Sequence, residues 1–202
     1  MKYIILSAVF SLFMLSSCCN TPKENNDMNQ NETLEVLKTR RSIRAYQDSV
    51  PPMELIEKVL EAGTYAPTGK GNQSPIIVAV TDKATRDKLS QLNAAVLGGT
   101  NDPFYGAPVV LVVLADRQYP TYIYDGSLVM GNLMNAAHAV GLGSCWIHRA
   151  KEVFDSEEGK ALLREWGIEG DYEGIGNCIL GYPAQANPAP KARKANYVHY
   201  VK

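Results

Sequence analysis

"SLVMGNLMNAAHAVGLGSCWI", residues 127–147, contains no Asp, Glu, Lys or Arg, although 20% of the chain is charged. The run reads as a helix that stops at Gly141–Gly143 and passes into a strand. Gly131, Ala136, Ala137 and Ala139 allow neighbours to approach closely. A helix this apolar belongs in a core or at a subunit interface. Its few polar side chains, Asn132, Asn135 and His138, step by three and share one flank.

Around this run the chain alternates between strand and helix patterns. "SPIIVAVTD" (74–82) and "APVVLVVLAD" (107–116) are continuous apolar runs and read as buried strands. "IGNCILGYP" (175–183) reads as a last core strand. A short helix is expected in "NETLEVLKTR" (31–40), with Asn31 as N-cap and Leu34 and Leu37 on one face. A stronger one is expected in "DSVPPMELIEKVLEAGTYAPT" (48–68). There Pro51 and Pro52 suit the start, Leu55, Ile56, Val59 and Leu60 form the stripe, and Pro67 ends it. Asp82 caps a helix carrying Leu89, Leu92 and Val96, and "SEEGKALLREWG" (156–167) is another capped helix. The tail "AQANPAPKARKANYVHYVK" (184–202) is basic, rich in Pro and Ala, and not helical. With no internal repeat and no second linker, the expectation is one α+β domain over 33–202, ordered from about Asn31 onward.

Length and charge narrow the functional classes. The chain has 202 residues, enough for one domain with a real core. Its formal net charge is −1, so no basic field invites nucleic acid. The N-terminus "MKYIILSAVFSLFMLSSCCN" (1–20) has Lys2, an apolar run from Tyr3 to Leu15, and then small residues. That run is short for a membrane span and reads as a signal peptide over 1–17. "Leu15-Ser16-Ser17-Cys18" resembles the bacterial lipobox, which implies a lipidated Cys18 and an exported protein anchored to a bacterial membrane. Removing 1–17 removes one Lys and no acid, so the mature charge is −1 − 1 = −2. Residues 18–32 are polar and rich in Asn, a solvated tether. Cys145 and Cys178 remain in the domain and are expected as free buried thiols.

Three site readings fail on spacing. Gly-Ser-Cys-Trp (143–146) resembles the surroundings of a cysteine-protease nucleophile. Yet Cys145 follows a helix C-terminus, whose partial negative charge opposes a thiolate, and downstream lie only His148 and His199. "PTGKGN" (67–72) resembles a phosphate loop, but five residues separate Gly63 from Gly69, and Gly71 follows Lys70. No G-x-G-x-x-G follows a strand, so a Rossmann site is unsupported. Two basic clusters remain: Arg40-Arg41-Ser42-Ile43-Arg44 and Lys191-Ala192-Arg193-Lys194. Together they offer the forked donors and hydroxyl that a phosphomonoester needs.

Five stretches, in order, resemble the FMN-dependent nitroreductase family: "RRSIRAY" (40–46), "APTGKGNQSP" (66–75), "FYGAPVVLVVLAD" (104–116), "DGSLVMGNLMNAAHAVGLGSCWI" (125–147) and "ILGYPAQANPAPKARK" (179–194). Ile76 stands where that family often has a bulky aromatic. The resemblance implies a nitroreductase-like α+β fold, with a central mostly antiparallel sheet flanked by helices. It also implies a homodimer with FMN in clefts at the subunit interface and no metal. On this resemblance Arg40, Arg41, Ser42 and Arg44 meet the ribityl phosphate and the pyrimidine side of the flavin, and Lys191 and Arg193 complete the phosphate site. Thr68, Gly69 and Asn72 come from the second subunit. Cys145, Trp146 and Ile147 line the isoalloxazine through their backbone. The implied activity is ping-pong transfer of hydride from NAD(P)H through FMN to a nitroaromatic, quinone or related acceptor. The alternative is an FMN-binding electron carrier without enzymatic activity.

Overall fold

The computed structural model describes residues 31–202. The signal peptide, the lipidation site Cys18 and the tether as far as residue 30 lie outside the described residues. Glu32 already opens the first helix, α1 (Glu32–Thr39), one residue before the expected start of the domain.

The longest apolar strand run becomes the middle of the sheet. β2 (Val109–Asp116) is buried at every residue except Asp116. It pairs antiparallel with β1 (Pro75–Val80) on one side and with β4 (Tyr172–Gly181) on the other. β3 (Gly143–Ile147) pairs antiparallel with β4, which gives the order β1-β2-β4-β3. The antiparallel α+β expectation holds. Side chains of β2 alternate between two cores. Val110, Val112 and Leu114 pack with Leu89, Phe154 and Leu162. Val109, Leu111 and Val113 pack with Ile56, Val59, Met130 and Leu133. The first core therefore draws on α3 (Lys83–Ala95), α5 (Ala150–Asp155) and α6 (Glu157–Glu165). The second draws on α2 (Met53–Thr64) and α4 (Tyr122–Ala139). Because helices cover both faces, β2 has no polar side to show in its sequence.

Several local expectations change. β1 is an edge strand: it is half-buried, and Ala79 is exposed, so it is not the buried strand that its composition suggested. An apolar run does not say whether a strand ends up central or at an edge. α2 ends at Thr64, three residues before Pro67, with Tyr65 as its cap. α5 has only six residues and left no periodicity to read. α1 forms as expected but buries none of its residues, and Leu34 and Leu37 are about half exposed. The caps hold: Asp82 accepts from the Thr85 N–H at 2.8 Å and the Ser156 hydroxyl accepts from the Gly159 N–H at 3.1 Å.

Cys145 and Cys178 are free and buried, as expected. Cys145 lies opposite Ile179 and Cys178 opposite Trp146, so the two thiols point to opposite faces of the sheet. Cys145 belongs to the first core and Cys178 to the second.

The turn from α4 into β3 is made by hydrogen bonds that need Gly141. The Gly141 N–H donates to the His138 carbonyl at 3.1 Å, and the Leu142 N–H donates to the Ala137 carbonyl at 2.8 Å. This is a Schellman closure, and Gly141 takes the left-handed φ of 80° that it requires. Leu142 and Ala137 pack in the same core. Gly143 is already the first residue of β3. The closure brings β3 back beside the end of α1.

Candidate functional site

A cavity of about 220 Å³ opens where α1, the α4–β3 turn and the chain after β4 converge. Arg40, Arg41, His138, Ser144, Pro183 and Asn187 are among its lining residues. The segment after α1 is stitched down beside it. The Ile43 N–H donates to the Ser144 carbonyl at 3.0 Å, Ser42 bridges Ser144, and the Ala184 N–H donates to the Ala45 carbonyl at 2.9 Å. Ile43 is buried in the first core, and Tyr46 donates its hydroxyl to the Ile43 carbonyl at 2.8 Å. Burial first, then the nearby cysteines, push the Tyr46 pKa well up, so that phenol stays protonated.

The two arginines differ in what they hold. Arg41 Nη1 donates to the carbonyls of Lys38 and Arg40, both at 2.8 Å, and so closes the C-terminal end of α1. Its Nε is buried without a partner, and so is Nη1 of Arg40. A buried donor without an acceptor costs about 1–3 kcal/mol, and more when it is charged. Both residues line one cavity, and their unpartnered charged donors beside it mark a place for an oxygen-rich anion.

His138 sits beside them. The Thr39 hydroxyl lies 2.6 Å from the Glu35 carbonyl and 2.9 Å from His138 Nε2. A carbonyl only accepts, so the single hydroxyl proton goes to Glu35 and Nε2–H donates to Thr39. Burial, then the charges of Arg40 and Arg41, hold the His138 pKa below its ordinary value. The ring is therefore neutral at neutral pH, with its Nδ1 lone pair free.

β3 contributes its backbone. The N–H and C=O of one strand residue point to the same side, and the side alternates along the strand. Ser144 turns its carbonyl away from β4 toward Ile43. Trp146, two residues on, therefore presents its N–H and C=O along the same outer edge. The Cys145 side chain is 2% exposed and packs in the first core, so it is unavailable as a nucleophile. The Ile147 side chain is buried in that core too.

A second cavity, about 490 Å³, is lined by Leu60, Thr64, Thr68, Gln73, Ile76 and Val129, with other residues of α2 and β1. The loop before β1 is fastened by Asp125 of α4, which is 3% exposed. Asp125 accepts from the Gly69 N–H at 2.9 Å, the Ser74 hydroxyl at 2.9 Å and the Thr121 hydroxyl at 3.0 Å. A Cβ on Gly69 would run into the Thr121 hydroxyl, so only glycine fits there. Lys70 and Gln73 take left-handed φ values of 55° and 52°, a strained loop held in shape by these bonds. Thr68 accepts from the Gln73 N–H at 3.0 Å, and Asn72 is exposed at the loop's end.

The predicted site residues thus fall into three groups. Arg40 and Arg41 line the first cavity; Ser42 bridges Ser144 beside it, and Cys145, Trp146 and Ile147 continue β3 from Ser144 without lining it. Arg44 is exposed, one position past buried Ile43, and does not line the first cavity. Lys191 and Arg193 lie exposed on the tail and do not line it either. Thr68, Gly69 and Asn72 belong to the loop of the second cavity. Within one chain, none of residues 66–77 lines the first cavity and none of 40–46 lines the second. Two site residues escaped sequence reading. Asp125 is the last acid before the charge-free run, and its isolation in an apolar helix was the available signal. His138 was visible only as a member of a polar flank.

The family model "Nitroreductase family" matches residues 37–98 and 93–182. A protein of Archaeoglobus fulgidus assigned as an NADH dehydrogenase/NAD(P)H nitroreductase is 34% identical over 158 residues, covering 75% of this chain and 86% of its own. One of Methanothermobacter thermautotrophicus with the same assignment is 30% identical over 169 residues, covering 79% of this chain and 81% of its own. Among solved structures, a nitroreductase with bound FMN from Bacteroides fragilis superposes with a TM-score of 0.79 at 28% identity, over 86% of this chain and 100% of that one. On these matches and on the shared fold, the chain belongs to the nitroreductase family.

Proposed function

We propose that the chain is an FMN-dependent oxidoreductase that passes hydride from NAD(P)H to a nitroaromatic, quinone or related acceptor. The observation that carries this reading is the pair of orphaned guanidinium donors, Arg40 Nη1 and Arg41 Nε, beside the outer edge of β3. The residues present fit FMN: the phosphate and pyrimidine oxygens are the acceptors that the two arginines lack, and Ser42 adds a hydroxyl. The Trp146 backbone supplies a donor and an acceptor along one line, which suits the edge of a flat heterocycle. Bound there, FMN supplies the redox chemistry, taking hydride from the nicotinamide and giving it to the acceptor.

A cavity of about 220 Å³ is smaller than the roughly 300–1,000 Å³ of complete ligand pockets, so it takes one end of the cofactor. The rest of the cleft is built in a homodimer, with Thr68, Gly69 and Asn72 of a second copy closing over the ring. Lys191 and Arg193 close on the phosphate from the tail. Asp125 holds the closing loop in shape. Arg44, on the outer side of its segment, reaches the pyrimidine side only once this cleft is assembled. Export and anchoring through Cys18 belong to the same proposal and rest on the lipobox-like "LSSC" at 15–18.

The experiment is a spectrum of purified protein. Yellow protein that NADPH or NADH bleaches, and that a quinone then re-oxidises with turnover, is the expected result. Protein that takes up no FMN overturns the reading. Protein that binds FMN but turns over neither nucleotide supports the electron carrier instead. Cys18→Ser should move the full-length protein out of the membrane fraction, and unchanged fractionation would overturn the anchor.

A further inference from the structure

We propose that His138 is the proton-linked donor of the Arg40–Arg41 pocket: when the FMN phosphate arrives, the ring takes up a proton from solvent and becomes a third cationic donor. The proposal rests on the FMN reading above and adds a coupling between cofactor binding and pH.

Geometry comes first. His138 lines the same cavity as both arginines and is hydrogen-bonded at one nitrogen only. The Thr39 contact holds the ring by Nε2, so any proton gained goes to Nδ1 and turns an acceptor into a donor. The surroundings favour the change only when an anion is present. On the segment after α1 stand Arg40 and Arg41, whose charges oppose protonation. α1 itself adds the Glu35–Lys38 ion pair, neutral as a unit. The turn and β3 contribute only the uncharged Ser144, and the chain after β4 contributes Pro183 and Asn187. In the assembled cleft proposed above, Lys191 and Arg193 of that tail join on the phosphate and oppose protonation of the ring, as Arg40 and Arg41 do. A phosphate carries about −1.5 to −2 charge near neutral pH. Burial is the first cause of the ring's neutrality and the arginine charges the second. A phosphate placed between the arginines cancels that second part, and its own negative charge works against the first by rewarding a further N–H donor.

The sign follows. Free protein holds His138 neutral down to a depressed pKa, whereas the complex holds it charged up to a raised one. Between these two values the complex carries one more proton than the free protein, so FMN affinity rises as pH falls through that window. Above the raised value the coupling vanishes. The phosphate's own second ionisation, near pH 6, works in the opposite direction, because a cationic site favours the dianion. A variant without His138 retains that opposing effect and isolates the histidine.

The test follows the His138 ring resonances by NMR between about pH 5 and 8, with and without saturating FMN. FMN and riboflavin affinities are measured over the same range for wild type, His138→Gln and Thr39→Ala. A rise of one unit or more in the His138 midpoint on binding FMN is expected, equivalent to about tenfold in affinity at the acid end. Riboflavin, without the phosphate, should move the midpoint little. His138→Gln should lose the acid-side gain, and Thr39→Ala should keep it. A midpoint unmoved by FMN overturns the proposal while leaving the FMN reading intact. So does a loss of FMN and riboflavin affinity that is equal in the two variants, since His138 would then merely latch α1. If wild type binds neither flavin, the FMN reading falls and this proposal falls with it. The wild-type titration needs no variant to fold.

Discussion

Arg40 Nη1 and Arg41 Nε are the two buried side-chain polar atoms without a hydrogen-bond partner among the described residues. A charge-assisted bond to phosphate contributes roughly 1.5–3 kcal/mol. Arg40→Ala and Arg41→Ala should each weaken FMN about ten- to a hundredfold and leave riboflavin nearly unchanged, as read by flavin fluorescence. Equal losses for both ligands would mean that the arginines support α1 and not the phosphate; Arg41, which also closes that helix, is the more exposed to this outcome. Arg193→Ala should match them if the tail closes on the same phosphate, and its loss should be less than additive with that of Arg41→Ala. Cys145 makes the opposite case. Its side chain is core, and burial first, then Cys145, pushes its neighbour Cys178 up to about 12, so that Cys178 stays a thiol. Cys145→Ala should keep its flavin and at least a tenth of its turnover, a barrier change of no more than about 1.4 kcal/mol. A folded, yellow and inactive variant would refute that.

At the scale of elements, two carboxylates tie loops to helices. Asp125 serves three donors from one buried position, so Asp125→Ala leaves Gly69 N–H, the Ser74 hydroxyl and the Thr121 hydroxyl short of an acceptor. A loss of at least about 3 kcal/mol is expected in urea unfolding, and a smaller one for Asp125→Asn, which keeps a carbonyl. Asp102 ties the loop before β2 to α3, accepting from Arg86 Nη2 at 2.6 Å and from the N–H of Phe104 and Gly106. Burial raises its pKa, but the bonds from Arg86, Ser90 and the two N–H groups outweigh burial and leave it lowered. For a lowered folded pKa, stability is fully present above the unfolded value, near 3.9, and is lost as pH falls through the folded value. The urea midpoint should therefore fall on acidification below about pH 4, and Asp102→Asn, already less stable at pH 7, should flatten that fall. An acid limb as steep in the variant as in wild type would remove Asp102 from the account.

At the scale of the whole molecule, the predicted site residues gather mainly at two separate cavities of one chain. The first cavity holds cations and a strand edge, and the second holds the strained loop and apolar walls. A third hollow, about 540 Å³, lies between α1, α4 and the end of α2, lined by Val36, Leu37, Ala62, Asn132, Asn135 and Ala136. Ile123, Tyr124 and Leu128 of α4 are exposed as well. The homodimer proposed above would cover these faces of α4, a helix that carries no charge after Asp125 and that the single chain leaves partly open. Light scattering of the domain from residue 31 onward should give a dimer, and Leu128→Glu should weaken both dimer and FMN retention. A monomer that still holds FMN would contradict the shared cleft.

What the residues determined by themselves is local. The charge-free run announced α4, Gly141 announced its end, Asp82 and Ser156 announced helix starts, and the ordered motifs announced the family and its cofactor. Each of these depends on neighbours within a few positions, which is the range over which hydrophobic period, capping and turn chemistry act. Tertiary structure decided the rest. Composition could not place β2 at the centre and β1 at an edge, because both runs are apolar and strand order depends on which crossover packs. It could not give Asp125 its three donors, or set Thr39 against His138, 99 residues away. Nor could it show that two of the many basic side chains keep buried, unpaired N–H groups beside one cavity, because desolvation and the lack of a partner exist only once the chain has closed around them.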